Sequence, residues 1–188
     1  IGNCALTYGL PVYVSILIGG VIGSLCGLLN GFLVAIVRLP PFIVTLGSWY
    51  IVMATNFIYS ANQTIRDADI SEKAPALQWF ASSFKLGGAV FTYGVVLMVI
   101  IVVGFWYVLQ HTAWGRHVYA VGDDPDAAEL SGIRTKRLLI QVYTVAGTIA
   151  AIAAWVSIGR NGSISPSCAL TGFNLQSITA AVIGGISL

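Results

Sequence analysis

The sequence predicts an all-α, polytopic membrane protein, and three observations predict it. Of the 188 residues, 57% are apolar and only 9% are charged, whereas a soluble domain carries about 25% charged residues. The mean hydropathy is +0.86. The charges are also gathered into two segments, from Arg66 to Lys85 and from Arg116 to Arg137. Only Arg38 and Arg160 stand apart, beside Pro40 and Pro41 and beside Gly159 and Gly162. Between these points run four charge-free stretches, residues 10–37, 42–59, 89–110 and 138–158. Each is close to the 17–25 residues that cross a hydrocarbon core of about 30 Å, the first being longer. The expected architecture is four full spans, a truncated fifth over residues 173–188, and a short helix in the second charged loop. Disorder and collagen are excluded by composition. The cysteines, Cys4, Cys26 and Cys168, are odd in number and scattered, so no disulfide framework follows. A net charge of +2 is too small to point to nucleic acid.

The first span carries Ser15, Gly19, Gly23, Gly27, Gly31 and Ala35 at every fourth position. Lipid supplies little hydrophobic drive between helices, and small residues that let backbones approach are what pack a bundle. The row, Gly19, Gly23, Gly27 and Gly31 above all, therefore reads as a packing face. A pore lining would need more polar neighbours than Asn30. Ala146, Ala150 and Ala154 make a milder row in the fourth span. The first span ends at Leu39-Pro40-Pro41-Phe42, where neither proline can donate a backbone hydrogen bond. A tight turn is the favoured reading. A broken helix restarting near Thr45, with its positive end toward a polar cavity, is the alternative.

Polar residues inside spans mark translocation paths. Here they are neutral: Thr45, Ser48, Thr55, Asn56, Gln141, Thr144, Thr148, Gln176 and Thr179. Asn30, Thr45, Asn56, Gln141 and Thr144 are the candidate path residues, although for each taken singly an interhelical hydrogen-bonding role is the favoured reading. No Asp, Glu, His or Arg sits at membrane depth, which argues against ion coupling and for a pathway driven from outside the membrane subunit.

The loop 111–137 holds a set of helix signals. Asp124 suits an N-cap, Pro125 the first helical position, Asp126 the positive end, and Gly132 the stop. They predict a helix of about two turns over residues 125–131, too short to span. Ala127 and Ala128 offer a small flat surface, and Asp126 and Glu129 carry charge. Docking in a groove of another protein and a solvated connector both fit these residues. Orientation by charge places five Lys and Arg (Arg38, Arg116, Arg134, Lys136, Arg137) inside against four (Arg66, Lys73, Lys85, Arg160) outside. The tight cluster at 134–137 favours a cytoplasmic loop 111–137, with loops 60–88 and 159–172 facing the periplasm.

Catalytic and cofactor signatures are missing. No Gly-x4-Gly-Lys-Ser/Thr phosphate loop and no Gly-x-Ser-x-Gly elbow occur. His111 and His117 lack partners at zinc spacing, and the acids at 123–129 lack the calcium-loop pattern. No metal, cofactor or catalytic residue is expected.

The run Trp114-Gly115-Arg116, Ala120-Val121-Gly122, Pro125-Asp126-Ala127-Ala128 and Ser131-Gly132-Ile133 resembles the cytoplasmic coupling-helix loop of permeases of monosaccharide ABC importers. These are the ribose, xylose and fructose permeases and, more distantly, the branched-chain amino-acid permeases. Leu29-Asn30-Gly31, Pro40-Pro41-Phe42-Ile43-Val44-Thr45-Leu46-Gly47 and Ile183-Gly184-Gly185-Ile186-Ser187-Leu188 follow the family pattern in order, so the resemblance covers nearly the whole chain. It is strongest to the fructose type, through Tyr59-Ser60-Ala61-Asn62, Thr64-Ile65-Arg66, Ala120-Val121-Gly122-Asp123-Asp124-Pro125 and Ile158-Gly159-Arg160. Asp123-Asp124 and Gly172-Phe173-Asn174-Leu175 depart from the Gly-Asn and Gly-Tyr-Glu-Leu of many relatives, which argues against simple transfer of a ribose assignment.

The resemblance implies an inner-membrane permease subunit, itself no enzyme, importing a fructose- or ribose-like sugar. It implies a second permease copy in a homodimer, ABC ATPase subunits below, a periplasmic sugar-binding protein above, and lipid around it. Asp124, Pro125, Asp126, Ala127, Ala128, Glu129 and Gly132 would couple the permease to the ATPase. A secondary transporter or channel for a small neutral solute is the alternative, and a membrane-embedded enzyme or scaffold is a more remote one. The chain lacks an initiator Met and a polar tail, and relatives are expected to be longer by roughly half again. It therefore reads as part of one transmembrane domain, cut at both ends.

Overall fold

The computed structural model describes residues 11–60, 83–86, 89–161, 165 and 173–185. Within them the order is α1 (Val12–Ala35), α2 (Pro41–Ser60), strands β1 (Ser83–Leu86) and β2 (Ala89–Thr92), α3 (Tyr93–His111), α4 (Ala113–Asp123), α5 (Pro125–Leu130), α6 (Thr135–Asn161) and α7 (Phe173–Ile183). Helices α1, α2, α3 and α6 are each long and apolar enough to cross a membrane. They are the four expected spans. Most of loops 60–88 and 159–172, with Cys4, Cys168 and residues 186–188, lies outside the described residues.

The third span begins at Tyr93, not Ala89. Residues 89–92 instead pair antiparallel with β1, from Ser83 opposite Thr92 to Leu86 opposite Ala89. Ala89-Val90-Phe91-Thr92 is apolar and β-prone, and hydropathy alone does not separate a short strand from the start of a helix.

Pro40 and Pro41 make a turn. Arg38 adopts a left-handed φ of 61°, and Leu39 N donates to Leu33 O at 3.3 Å. Helix α2 then starts at Pro41, whose fixed φ suits the first helical position. Pro40 O accepts from Ile43 N and Val44 N at 3.1 and 3.2 Å. The helix runs unbroken through Thr45, so the alternative of a broken helix is not what forms.

Helices α1 and α6 pack antiparallel along the glycine row. A side chain at Gly31 would meet Ile140, one at Gly27 would strike the Tyr143 carbonyl, and one at Gly23 would meet Gly147 and Ala151. Gly147 returns the close approach, facing Gly23 and Gly27. Ser15, Gly27, Gly31 and Ala35 are buried by this contact face of α1. By contrast α2 buries only Val44 and α3 buries nothing. Ile58 is 83% exposed and Ile100 62%. Such faces suit lipid or further helices, not water.

Helix α7 ends at a turn, with Gly184 N donating to Ala180 O and Gly185 N to Val182 O, both at 3.0 Å. Gly185 has φ +94°. A glycine in the left-handed region is an ordinary helix stop.

Candidate functional site

Among the described residues, the loop 111–137 is the most organised part outside the spans. Thr112, in extended conformation, turns the chain from α3 into α4, and its hydroxyl accepts from Gly115 N at 3.2 Å while donating to Val108 O at 2.6 Å. Gly115 is buried against the Leu109 backbone, where no Cβ fits. Helix α4 was missed by sequence reasoning, although Thr112 as a cap and apolar Trp114, Val118 and Val121 at i, i+4 and i+7 were signals for it.

Asp124 starts α5 as expected, with Oδ1 accepting from Asp126 N at 2.9 Å and Ala127 N at 3.0 Å. The helix ends at Leu130. Gly132 N donates to Glu129 O at 3.0 Å and Ile133 N to Ala128 O at 3.1 Å, and Gly132 has φ +86°. This paired pattern, with glycine in the left-handed position and an apolar residue after it, is a Schellman stop. Ile133 packs with Trp114 and Val118 against a small core of Val121, Ala128 and Leu138. Glu129 Oε2 accepts from Thr135 Oγ1 at 3.5 Å.

One expectation fails. Ala128 is 4% exposed and lies inside this core, so it is no part of a flat outer surface. Residues 128 and 130 are about 200° apart around a helix, so one must face inward when the other faces out. The space between α4 and α6 admits only the smaller side chain. Leu130 is thereby turned outward at 91% exposure. With Ala127 and Asp126, also exposed, it forms the outer face of α5. Leu130 is a residue the sequence reading passed over.

The candidate path residues are dispersed. Thr45 Oγ1 donates to Pro41 O at 3.0 Å, and Ser48 and Thr55 bond back to Thr45 O and Ile51 O within α2. Thr45 and Asn56 lie on exposed positions about 16 Å apart along α2. Asn30 is half-buried on α1. Gln141 Oε1 accepts from Trp114 Nε1 at 3.1 Å, which ties it to the loop. Thr144 donates to Ile140 O at 2.7 Å and borders an open groove of about 400 Å³ between α1 and α6. Ser24 and Thr148 face the same groove, their hydroxyls 2.8 Å apart. Ser24 was not among the candidates, and only its pairing with α6 reveals it. Neither the groove between α1 and α6 nor the cleft beside Trp114 and Gln141 gathers Asn30, Thr45, Asn56, Gln141 and Thr144 together.

Residues 2–188 match the family described as branched-chain amino acid transport system / permease component. The chain belongs to this permease family. It is similar to a fructose import permease protein of Rhizobium meliloti, 57% identical over 187 residues, covering 100% of this chain and 52% of that protein. A ribose import permease protein of Escherichia coli K12 is 32% identical over 167 residues, 89% of this chain and 50% of the relative. A galactose/methyl galactoside import permease protein of Haemophilus influenzae is 30% identical over 179 residues, 95% of this chain and 52% of the relative. No solved structure matches the chain. The permease chain thus spans about half the length of these relatives, which are about twice as long and not merely half again. Among the permease's described residues, no three of His, Cys, Asp and Glu come close enough to hold a metal ion.

Proposed function

We propose that this chain belongs to the membrane-spanning permease subunit of an ABC importer for a monosaccharide, with fructose the first candidate. Identity of 57% along the whole chain to a protein named a fructose import permease carries the proposal. In this reading the permease is not an enzyme. Hydrolysis belongs to ATPase subunits, a periplasmic protein delivers the sugar, and two permease copies form the pathway in the inner membrane. The loop 111–137 is cytoplasmic, and α5 docks on the ATPase.

The geometry supports that docking role in a specific way. Helix α5 is held rigid by Asp124 at one end and Gly132 at the other, and it is fastened to α6 through Ala128 and Leu138. Movement of α5 would therefore be passed directly to the start of a spanning helix. What it offers a partner is Leu130 and Ala127, rimmed by Asp126 and Glu129. Away from their ends the described spans carry only neutral polar groups, which suits an uncharged sugar passing through without ion coupling.

The experiment uses the full-length permease with its ATPase and binding protein in proteoliposomes. Labelled fructose should accumulate only with internal ATP, and unlabelled fructose should compete better than ribose or galactose. Leu130→Asp should abolish uptake and release the ATPase on purification, while Leu130→Met retains both. Uptake that persists without ATP rejects the importer reading, and full activity of Leu130→Asp rejects the docking face.

A further inference from the structure

The first turns of α6 and α4 enclose a cleft of about 420 Å³ that the transport reading does not use. It is lined by Trp114, His117, Ser131, Arg134, Arg137 and Gln141, together with the apolar floor of Ile133 and Leu138. Arg134, Arg137 and His117 thus border one space that no carboxylate lines, while the Ser131 hydroxyl beside them donates to Ala127 O at 3.0 Å. The oxygen of Gln141 is already taken by Trp114 Nε1, which leaves its NH₂ group to donate. Planar, multiply donating guanidinium groups match the oxygens of a phosphate.

The position of the cleft selects the kind of phosphate. Arg134 immediately precedes spanning helix α6, and Trp114 lies three residues beyond the end of spanning helix α3. The end of α3 also carries an aromatic group, with His111 stacked on Tyr107 at 4.7 Å and edge-on to Trp106 at 6.0 Å. Aromatic rings of this kind sit at headgroup level. Trp106 and Tyr107 are 55% and 57% exposed, so an apolar, unoccupied flank of α3 lies at that level. A basic pocket between spans at the membrane surface is suited to an anionic headgroup. We infer that this cleft binds the phosphate of an anionic phospholipid, such as phosphatidylglycerol, at the surface of the leaflet that carries loop 111–137. The lipid bridges the N-terminus of α6 and the start of α4, bracing the loop on the membrane.

The test is native mass spectrometry of the full-length permease in detergent, titrated with phosphatidylglycerol or phosphatidylcholine. Phosphatidylglycerol should bind more tightly than phosphatidylcholine. Arg134→Gln with Arg137→Gln should weaken it about 25-fold, at about fivefold per arginine, with phosphatidylcholine unchanged and the unfolding midpoint kept. Arg134→Lys with Arg137→Lys should lose only part of that affinity. Lys136→Gln also removes one positive charge from α6 but does not line the cleft, and it should weaken binding less than Arg137→Gln does. Equal losses in the Lys136 and Arg137 single variants show unspecific attraction and overturn the site. Displacement of the lipid by inorganic phosphate shows a free-phosphate site and overturns the lipid assignment. Retained phosphatidylglycerol together with released ATPase in the double glutamine variant assigns the arginines to a protein contact and overturns it as well.

Discussion

Adding one methyl group to α1 should either destabilise the permease or leave it intact, according to which glycine receives it. At Gly27 an alanine Cβ collides with the Tyr143 carbonyl and comes within 3.2 Å of Gly147 Cα. At Gly23 it would lie 2.8 Å from Ala151 Cβ and 2.9 Å from Gly147 O. At Gly20, one turn away on the same helix, nothing lies within 4 Å. The obstacles at Gly27 are backbone atoms, which no rotamer change can move, so α1 and α6 must part. A gap of about 0.5–1 Å forfeits a quarter to a half of the dispersion attraction along such a contact. Overpacking of this kind costs about 1–3 kcal/mol. Glycine to alanine within a helix also brings a gain of about 0.5–1 kcal/mol, but that gain is common to the variants and cancels between them. Gly27→Ala should therefore unfold about 1–3 kcal/mol more easily than Gly20→Ala, with Gly23→Ala in between because its contacts, at 2.8 and 2.9 Å, are less severe than the collision at Gly27. Titration of the purified full-length permease with a denaturing detergent, followed by circular dichroism, measures this order. Indistinguishable midpoints for Gly20→Ala and Gly27→Ala would refute the close approach of α1 and α6.

Three further outcomes are expected. Ala128→Glu should place a carboxylate without a partner in the core of Val121 and Leu138, at a cost of several kcal/mol, and make the loop cleavable by protease; Ala127→Glu, on the outer face, should leave cleavage at the wild-type level. Asp124→Ala should cost about 0.5–2 kcal/mol and speed hydrogen exchange at the Asp126 and Ala127 amides, which lose their acceptor, without changing exchange in α6. In a cysteine-free background, an impermeant thiol reagent added outside should modify Asn161→Cys and spare Lys136→Cys; both positions are exposed and lie at opposite ends of α6, and the reverse pattern inverts the topology.

The spans, their order and the caps of α5 were legible in the sequence because each depends on neighbours along the chain. Hydropathy over some twenty residues decides what can lie in lipid, Pro41 and Asp124 set helix starts, and the left-handed conformation selects Gly132 as a stop. The periodic glycines of α1 announced a contact face by the same local logic. Sequence did not decide what meets that face. It is α6 and not the adjacent α2, because only α6 presents Gly147 and Ala151 at matching heights, and close approach in lipid depends on shape and not on hydropathy. The pairing of Ser24 with Thr148 across 124 positions and of Trp114 with Gln141 across 27 likewise exists only once these helices are set side by side. The same holds for the candidate docking face. Ala128 and Leu130 are both apolar and both on α5, and composition favours burying the larger. The narrow space over Val121 and Leu138 takes the smaller instead, and so turns Leu130 outward.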